Sequence, residues 1–118
     1  MSKLSTYMTL PTLKGSNANG EWIKFSDGTQ ICTLYAGVTP VSIGTNVEQP
    51  IPTWTYPAAF AATPVFTGQA SGTNSGFFVV RSVNPTATTV GSLFLINLAS
   101  ATKSSPPNLN LMAIGRWF

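Results

Sequence analysis

Groups able to do acid–base, nucleophilic or metal chemistry are scarce in this 118-residue chain: three carboxylates, one thiol and no histidine. Without histidine a Ser-His-Asp triad cannot exist, and a zinc site built from His and Cys is excluded within one copy. Three dispersed acids, Glu21, Asp27 and Glu48, make a poor calcium cage. They remain formally open as a carboxylate pair, since distance along the chain does not set distance in space. Asp27, however, is accounted for by a turn and Glu21 by an exposed strand start. Cys32 has no intrachain disulfide partner and no histidine to serve as its base, so it reads as a small buried hydrophobe. No glycine loop leads into a helix that could cradle phosphate. The residues therefore point to binding rather than catalysis, with no metal and no cofactor.

The charges are as thin as the chemistry. Lys3, Lys14, Lys24, Arg81, Lys103 and Arg116 give a net charge of +3, but they are scattered singly, whereas nucleic-acid binders cluster cations along a groove or face. Nucleic acid is not expected as a partner. Ser, Thr, Asn, Gln and Gly must then cover most of the surface. Hydroxyl and amide groups around aromatic platforms suit subunit contacts and sugar recognition. The start of the chain has no continuous apolar core of signal-peptide type, and the apolar-leaning runs at 76–80 and 93–98 are far short of a membrane span, so a soluble product without membrane insertion is expected.

The elements that would position these groups are strands. Residues 1–18 are rich in Ser, Thr, Asn, Gly and Pro and read as a flexible arm or stalk junction; residues 19–118 read as one β domain. Residues 21–25 and 29–35 flank Ser26-Asp27-Gly28, the strongest hairpin signal in the chain, because Gly accepts positive φ and Asp bonds nearby backbone. Ile23 and Phe25 share one face of the first strand, Trp22 and Lys24 the other; one face is expected to meet a second sheet and the other a partner subunit. Prolines and glycines interrupt 36–57, leaving room for short strands at 41–43 and 54–56, and 58–62 could form a turn of helix. Further strands are predicted near 65–70, 77–83, 89–98 and 109–118, with no helix of ten or more residues. The pattern predicts an all-β fold, a β-sandwich of six to eight mostly antiparallel strands.

For ligand contact, Trp22 and Trp54 could act as stacking platforms for a pyranose, though a Trp in a small β domain is more often core or interface. Tyr35 and Tyr56 offer a ring and a hydroxyl. The loops 71–76 and 101–108 are polar and long enough to vary without disturbing the sheets, and there Asn74, Ser75, Lys103 and Asn108 supply donors and acceptors. The plain alternative is that these are solvated turns.

Three segments together carry a resemblance: Asn19 to Cys32, the run Trp54-Thr55-Tyr56-Pro57-Ala58-Ala59-Phe60-Ala61-Ala62-Thr63-Pro64-Val65, and the closing Ala113-Ile114-Gly115-Arg116-Trp117. In this order they resemble the C-terminal receptor-binding domain of bacteriophage and prophage tail fibres, over residues 19–118. The domain also looks like the H-type lectin sandwich, although no sugar-contact residue of that fold maps onto a position here. The resemblance implies a homotrimeric β-sandwich on the virion, at the distal end of a tail fibre, attaching the particle to a bacterial surface glycan or outer-membrane receptor. It also implies that Phe60, Arg116, Trp117 and Phe118 anchor the core and the subunit packing, Arg116 as a buried or intersubunit donor. The alternatives are a structural tail or capsid component without a ligand, and a polysaccharide-degrading enzyme, which would need carboxylates from neighbouring copies.

Overall fold

Successive residues of a strand point to opposite faces, so period-two alternation decides which side chains a sheet hides. The structure, a computed structural model, describes residues 12–118. Its strands are β1 (Leu13–Asn17), β2 (Gly20–Lys24), β3 (Thr29–Gly37), β4 (Ser42–Ile43), β5 (Glu48–Ile51), β6 (Val65–Ser71), β7 (Phe78–Val83), β8 (Ser92–Asn97), β9 (Lys103–Ser104) and β10 (Asn108–Arg116). All pairings are antiparallel, in a five-stranded sheet of order β1-β2-β3-β10-β6, a three-stranded sheet β5-β8-β7 and a small β4-β9 pair.

The all-β, antiparallel expectation is met, but not as a closed sandwich of six to eight strands: the described residues form ten, in three separate sheets. Pro40, Pro52 and Pro57 help keep residues 38–64 out of long ladders, since each lacks a ladder donor, while Pro50 falls inside the short strand β5. Between Val38 and Pro64 the chain makes only two short strands, and Trp54–Tyr56 shrinks to a single bridge, Thr55 to Thr89. Residues 58–62 form bends rather than a helical turn. The arm expected over 1–18 is also corrected: Leu13–Asn17 is an edge strand, turned back onto β2 through Ala18-Asn19, where the Asn17 carboxamide oxygen accepts from the Asn19 backbone N–H at 2.9 Å. Residues 1–11 of that arm lie outside the described residues.

β10 is the spine, pairing with β3 along one side and β6 along the other. Its odd positions Leu109, Leu111 and Ala113 are buried, and register sets them beside Ala36, Leu34 and Cys32 of β3 and Ala70, Gly68 and Phe66 of β6. Leu93, Leu95 and Phe78 of the three-stranded sheet belong to the same apolar cluster, so one core joins the two larger sheets. Trp22 packs against it, which settles the inward face of β2.

A proline-rich segment closes the core beside β2 and β3. Trp54, Tyr56 and Phe60 form a ladder of edge-to-face rings, with centroids 5.2 and 5.1 Å apart. Hydrogen bonds tie it to the sheet: the Trp54 indole N–H donates to the Asn19 carbonyl at 2.7 Å, and the Gln30 carboxamide donates to the Ala58 carbonyl at 2.9 Å. At the other side, fully buried Asn97 donates to the carbonyls of Ile43 and Ala101 at 2.8 and 3.0 Å and accepts from the Ala99 backbone N–H at 2.8 Å. It thereby joins β8 to the β4 and 99–101 connections.

Candidate functional site

The predicted contact residues divide into two groups. Trp54 and Tyr56 are in the core, 3% and 4% exposed, so neither presents a ring to a ligand; this corrects the platform reading of Trp54, in favour of its core alternative, and the contact reading of Tyr56. Burial also pushes the Tyr56 hydroxyl above its ordinary pKa. Trp22 is half-buried on the core side, with the Lys24 ammonium 5.2 Å from its ring centre. It stays in place as packing.

Asn74, Ser75, Lys103 and Asn108 gather at one end of the molecule, because β6 ends there and β10 begins. Asn74, in the left-handed conformation at φ 66, donates from its carboxamide to the Ser104 carbonyl at 3.0 Å. The Lys103 ammonium lies 4.8 Å from the centre of the Phe77 ring. Gly72 at φ +95 lets the loop turn beneath Pro107. The two loops chosen from sequence are thus one continuous surface.

Tyr35 belongs to the same end by a different route. Its row on the outer face of the five-stranded sheet is Tyr35–Asn110–Gln69, one step along the strands from Gly37–Asn108–Ser71 at the loop end. Next comes Ser16–Glu21–Thr33–Met112–Thr67, then Lys14–Ile23–Ile31–Ile114–Val65. The face therefore grades from amides through hydroxyls to an apolar row. A groove of about 660 Å³ runs across its middle, lined by Glu21, Tyr35, Gln69, Asn110 and Met112 among others. Sequence reasoning weighed Glu21 only as a possible catalytic acid and did not single out Gln69 or Asn110. Polar residues alternating with buried ones give only the ordinary signature of a wetted sheet face, and their alignment into rows depends on register.

The anchoring residues occupy the opposite end. Phe60 is buried in the aromatic ladder. The Arg116 guanidinium donates to the Asp27 carbonyl at 2.7 Å, the Trp117 indole N–H to the Phe25 carbonyl at 2.7 Å, and the Trp117 backbone N–H to the Gly28 carbonyl at 2.9 Å. Arg116 is exposed rather than buried, because its carbonyl partner sits at a surface turn. Phe118 is 62% exposed and packs edge-on against Trp117 at 4.7 Å, so it adds little to the core of the single chain.

The three carboxylates are not brought together. Glu21 lines the groove; Asp27 caps its turn by accepting from the Thr29 backbone N–H at 2.8 Å, and hydrogen bonds from Thr29 hold its carboxyl below the usual carboxylate range. Glu48 pairs with Arg81 on the three-stranded sheet. Among the described residues no group of three or more His, Cys, Asp or Glu could hold a metal ion. Cys32 is fully buried, and burial raises its thiol pKa, leaving it a poor nucleophile.

No protein-family model matches the sequence, and comparison with curated proteins gives no match. Among solved structures the chain is similar to the C-terminal part of the P. aeruginosa R1 pyocin fibre, with a TM-score of 0.61 and 21% identity over 90% of this chain. It spans 28% of that longer chain. It is likewise similar to an N-truncated R1-type pyocin tail fibre, with a TM-score of 0.61 and 18% identity over 98% of this chain and 97% of the other. At these identities the likeness establishes a shared fold: this chain has the fold of pyocin tail-fibre domains.

Proposed function

We propose that the chain is the receptor-binding tip of a phage-type tail fibre, a homotrimer at the distal end of the fibre that attaches the particle to a bacterial surface glycan or outer-membrane receptor. The observation that carries this reading is the fold likeness to pyocin fibre structures, which extends over 90% and 98% of the chain. The surface agrees with it. The loop end offers amides, a hydroxyl and one ammonium with no catalytic group among them, which suits recognition.

The outer face of the three-stranded sheet is the better subunit surface. It presents Pro50, Val79, Val83, Phe94 and Ile96, and its charges, Glu48 and Arg81, already satisfy each other. Burying that face strands no unpaired charge, whereas covering the groove face would desolvate free amides and Glu21. On this arrangement the groove and the loop end remain open to the receptor.

Two measurements test the proposal. Light scattering on the purified chain should give a mass near three chains, and Val79→Glu should lower it. Fluorescently labelled protein should bind cells of a susceptible bacterium and compete with the intact particle. A monomer that binds no bacterial surface overturns the reading.

A further inference from the structure

We infer that the groove across the outer face of the five-stranded sheet, between Glu21, Tyr35, Gln69 and Asn110, is a binding site for a neutral saccharide. This rests on the receptor-binding reading and deepens it by placing the sugar on the sheet face rather than on the loops alone.

The argument begins with which polar side chains the fold uses. Asn17, Gln30, Asn74 and Asn97 each donate to a backbone carbonyl and hold two segments together. The side chains of Glu21, Gln69 and Asn110 make no hydrogen bond to another described residue, although all three project from the same sheet face. No described residue occupies their donors and acceptors, which a ligand could engage. The carboxamides present both kinds of group, and the Glu21 carboxylate can accept from two neighbouring hydroxyls.

Tyr35 supplies the apolar half of the site. It is 66% exposed, two residues before the end of a nine-residue strand, beside Asn110 in the register. A ring so placed forgoes most of its burial on folding and offers a flat face with a hydroxyl at its tip. Met112, half-buried in the next row, adds an adaptable apolar floor. Neighbouring strands lie about 4.8 Å apart, so the three strand spacings from Glu21 on β2 to Gln69 on β6 span about 14 Å, room for a short oligosaccharide beside the Tyr35 ring. The groove volume, about 660 Å³, lies in the range of roughly 300–1,000 Å³ common for small-ligand sites.

Charge selects the class of sugar. Among the described residues Glu21 is the sole charged side chain lining the groove, so a uronic or sialic acid would meet its repulsion with no described cation there to offset it. Uncharged hexoses and N-acetylhexosamines are the class that fits.

The test is an array of neutral hexose and N-acetylhexosamine oligosaccharides printed beside uronic- and sialic-acid oligosaccharides, probed with the whole chain. Wild type should bind neutral spots. Tyr35→Ala and Gln69→Ala should each weaken binding about tenfold, as expected for loss of roughly 1.4 kcal/mol of contact, with melting temperature and solution mass unchanged. Tyr35→Phe should retain most of the binding, and Lys103→Ala, at the loop end, should weaken it less than Tyr35→Ala does. Binding that survives Tyr35→Ala and Gln69→Ala but is lost in Lys103→Ala puts the sugar on the loops and overturns this inference while leaving the receptor reading standing. Loss of the oligomer in Tyr35→Ala also overturns it, by showing that a second copy covers the face. Wild-type binding to cells but to no neutral saccharide rules out the saccharide alone; failure on both cells and array sinks the receptor reading itself.

Discussion

The two ends of the five-stranded sheet use their residues in opposite ways. At one end the β2–β3 turn, the Phe60–Pro64 segment and the C-terminal Gly115-Arg116-Trp117 converge. There Gly28, at φ +99, leaves space that the Arg116 guanidinium fills, and Gly115 admits Phe60 and Pro64 so closely that an added Cβ would lie 3.0 Å from each. The Ala61 backbone N–H donates to the Arg116 carbonyl at 2.8 Å, which links the second segment to the third. Toward the other end the outer rows leave amides and a carboxylate without side-chain hydrogen bonds to other described residues. One end is constrained by packing and the other is chemically open. The contrast teaches that the segments most recognisable in the chain mark a structural corner, while the surface suited to a ligand carries no comparable pattern.

Substitutions that separate the two ends sharpen the contrast. Gly115→Val should be the most damaging: the new side chain must displace Phe60 and the Pro64 ring, at a cost of about 3 kcal/mol, read as a fall in the urea midpoint. Gly28→Ala should cost about 2 kcal/mol, combining left-handed strain with displacement of Arg116; thermal melting should drop by roughly 8 °C. Trp117→Phe keeps an aromatic ring but loses the indole donor to the Phe25 carbonyl, so the loss should be about 0.5–1 kcal/mol by denaturant titration.

A smaller effect is expected from pH. The Asp27 carboxyl is held below its usual value of 3.8 by hydrogen bonds from Thr29, so its contribution is complete above that value and is lost as pH falls through the lower folded-state value. Asp27→Asn should therefore flatten the acid limb of a stability–pH curve below about pH 4 and leave the neutral region nearly level. The groove should be the quietest of all. Tyr35→Ala and Glu21→Gln should change unfolding free energy by no more than about 0.5 kcal/mol, because neither side chain holds another part of the fold. A loss comparable to that at Gly28 would break the contrast and assign the groove a structural role.

Much of the scaffold was legible because its causes are local or periodic. Asp-Gly between two β-prone runs predicts the turn at 26–28, and the run 109–118 predicts the final strand, found as β10 over Asn108–Arg116. Phe60, which the resemblance marked as an anchor, is buried in the aromatic ladder. β1 was illegible since Leu-Lys-Gly-Ser-Asn has little β propensity and no buried side chain; pairing with β2 supplies its stability. Trp54 and Tyr56 misled for a different reason. An aromatic ring has the same composition whether it stacks on a sugar or on a neighbouring ring, and only the packing of the proline-rich segment against β2 and β3 distinguishes the two.

By itself the sequence determined the all-β class, the lack of a histidine-based catalytic or metal centre and the position of the main hairpin, because composition, strand period and turn chemistry act over a few residues. Tertiary structure alone decided that residues 27, 60 and 116 meet at one corner, that Glu21, Tyr35, Gln69 and Asn110 share one groove, and which aromatic rings are buried. Those outcomes depend on the insertion of the last strand, β10, between β3 and β6, a register between segments tens of residues apart that no local pattern encodes.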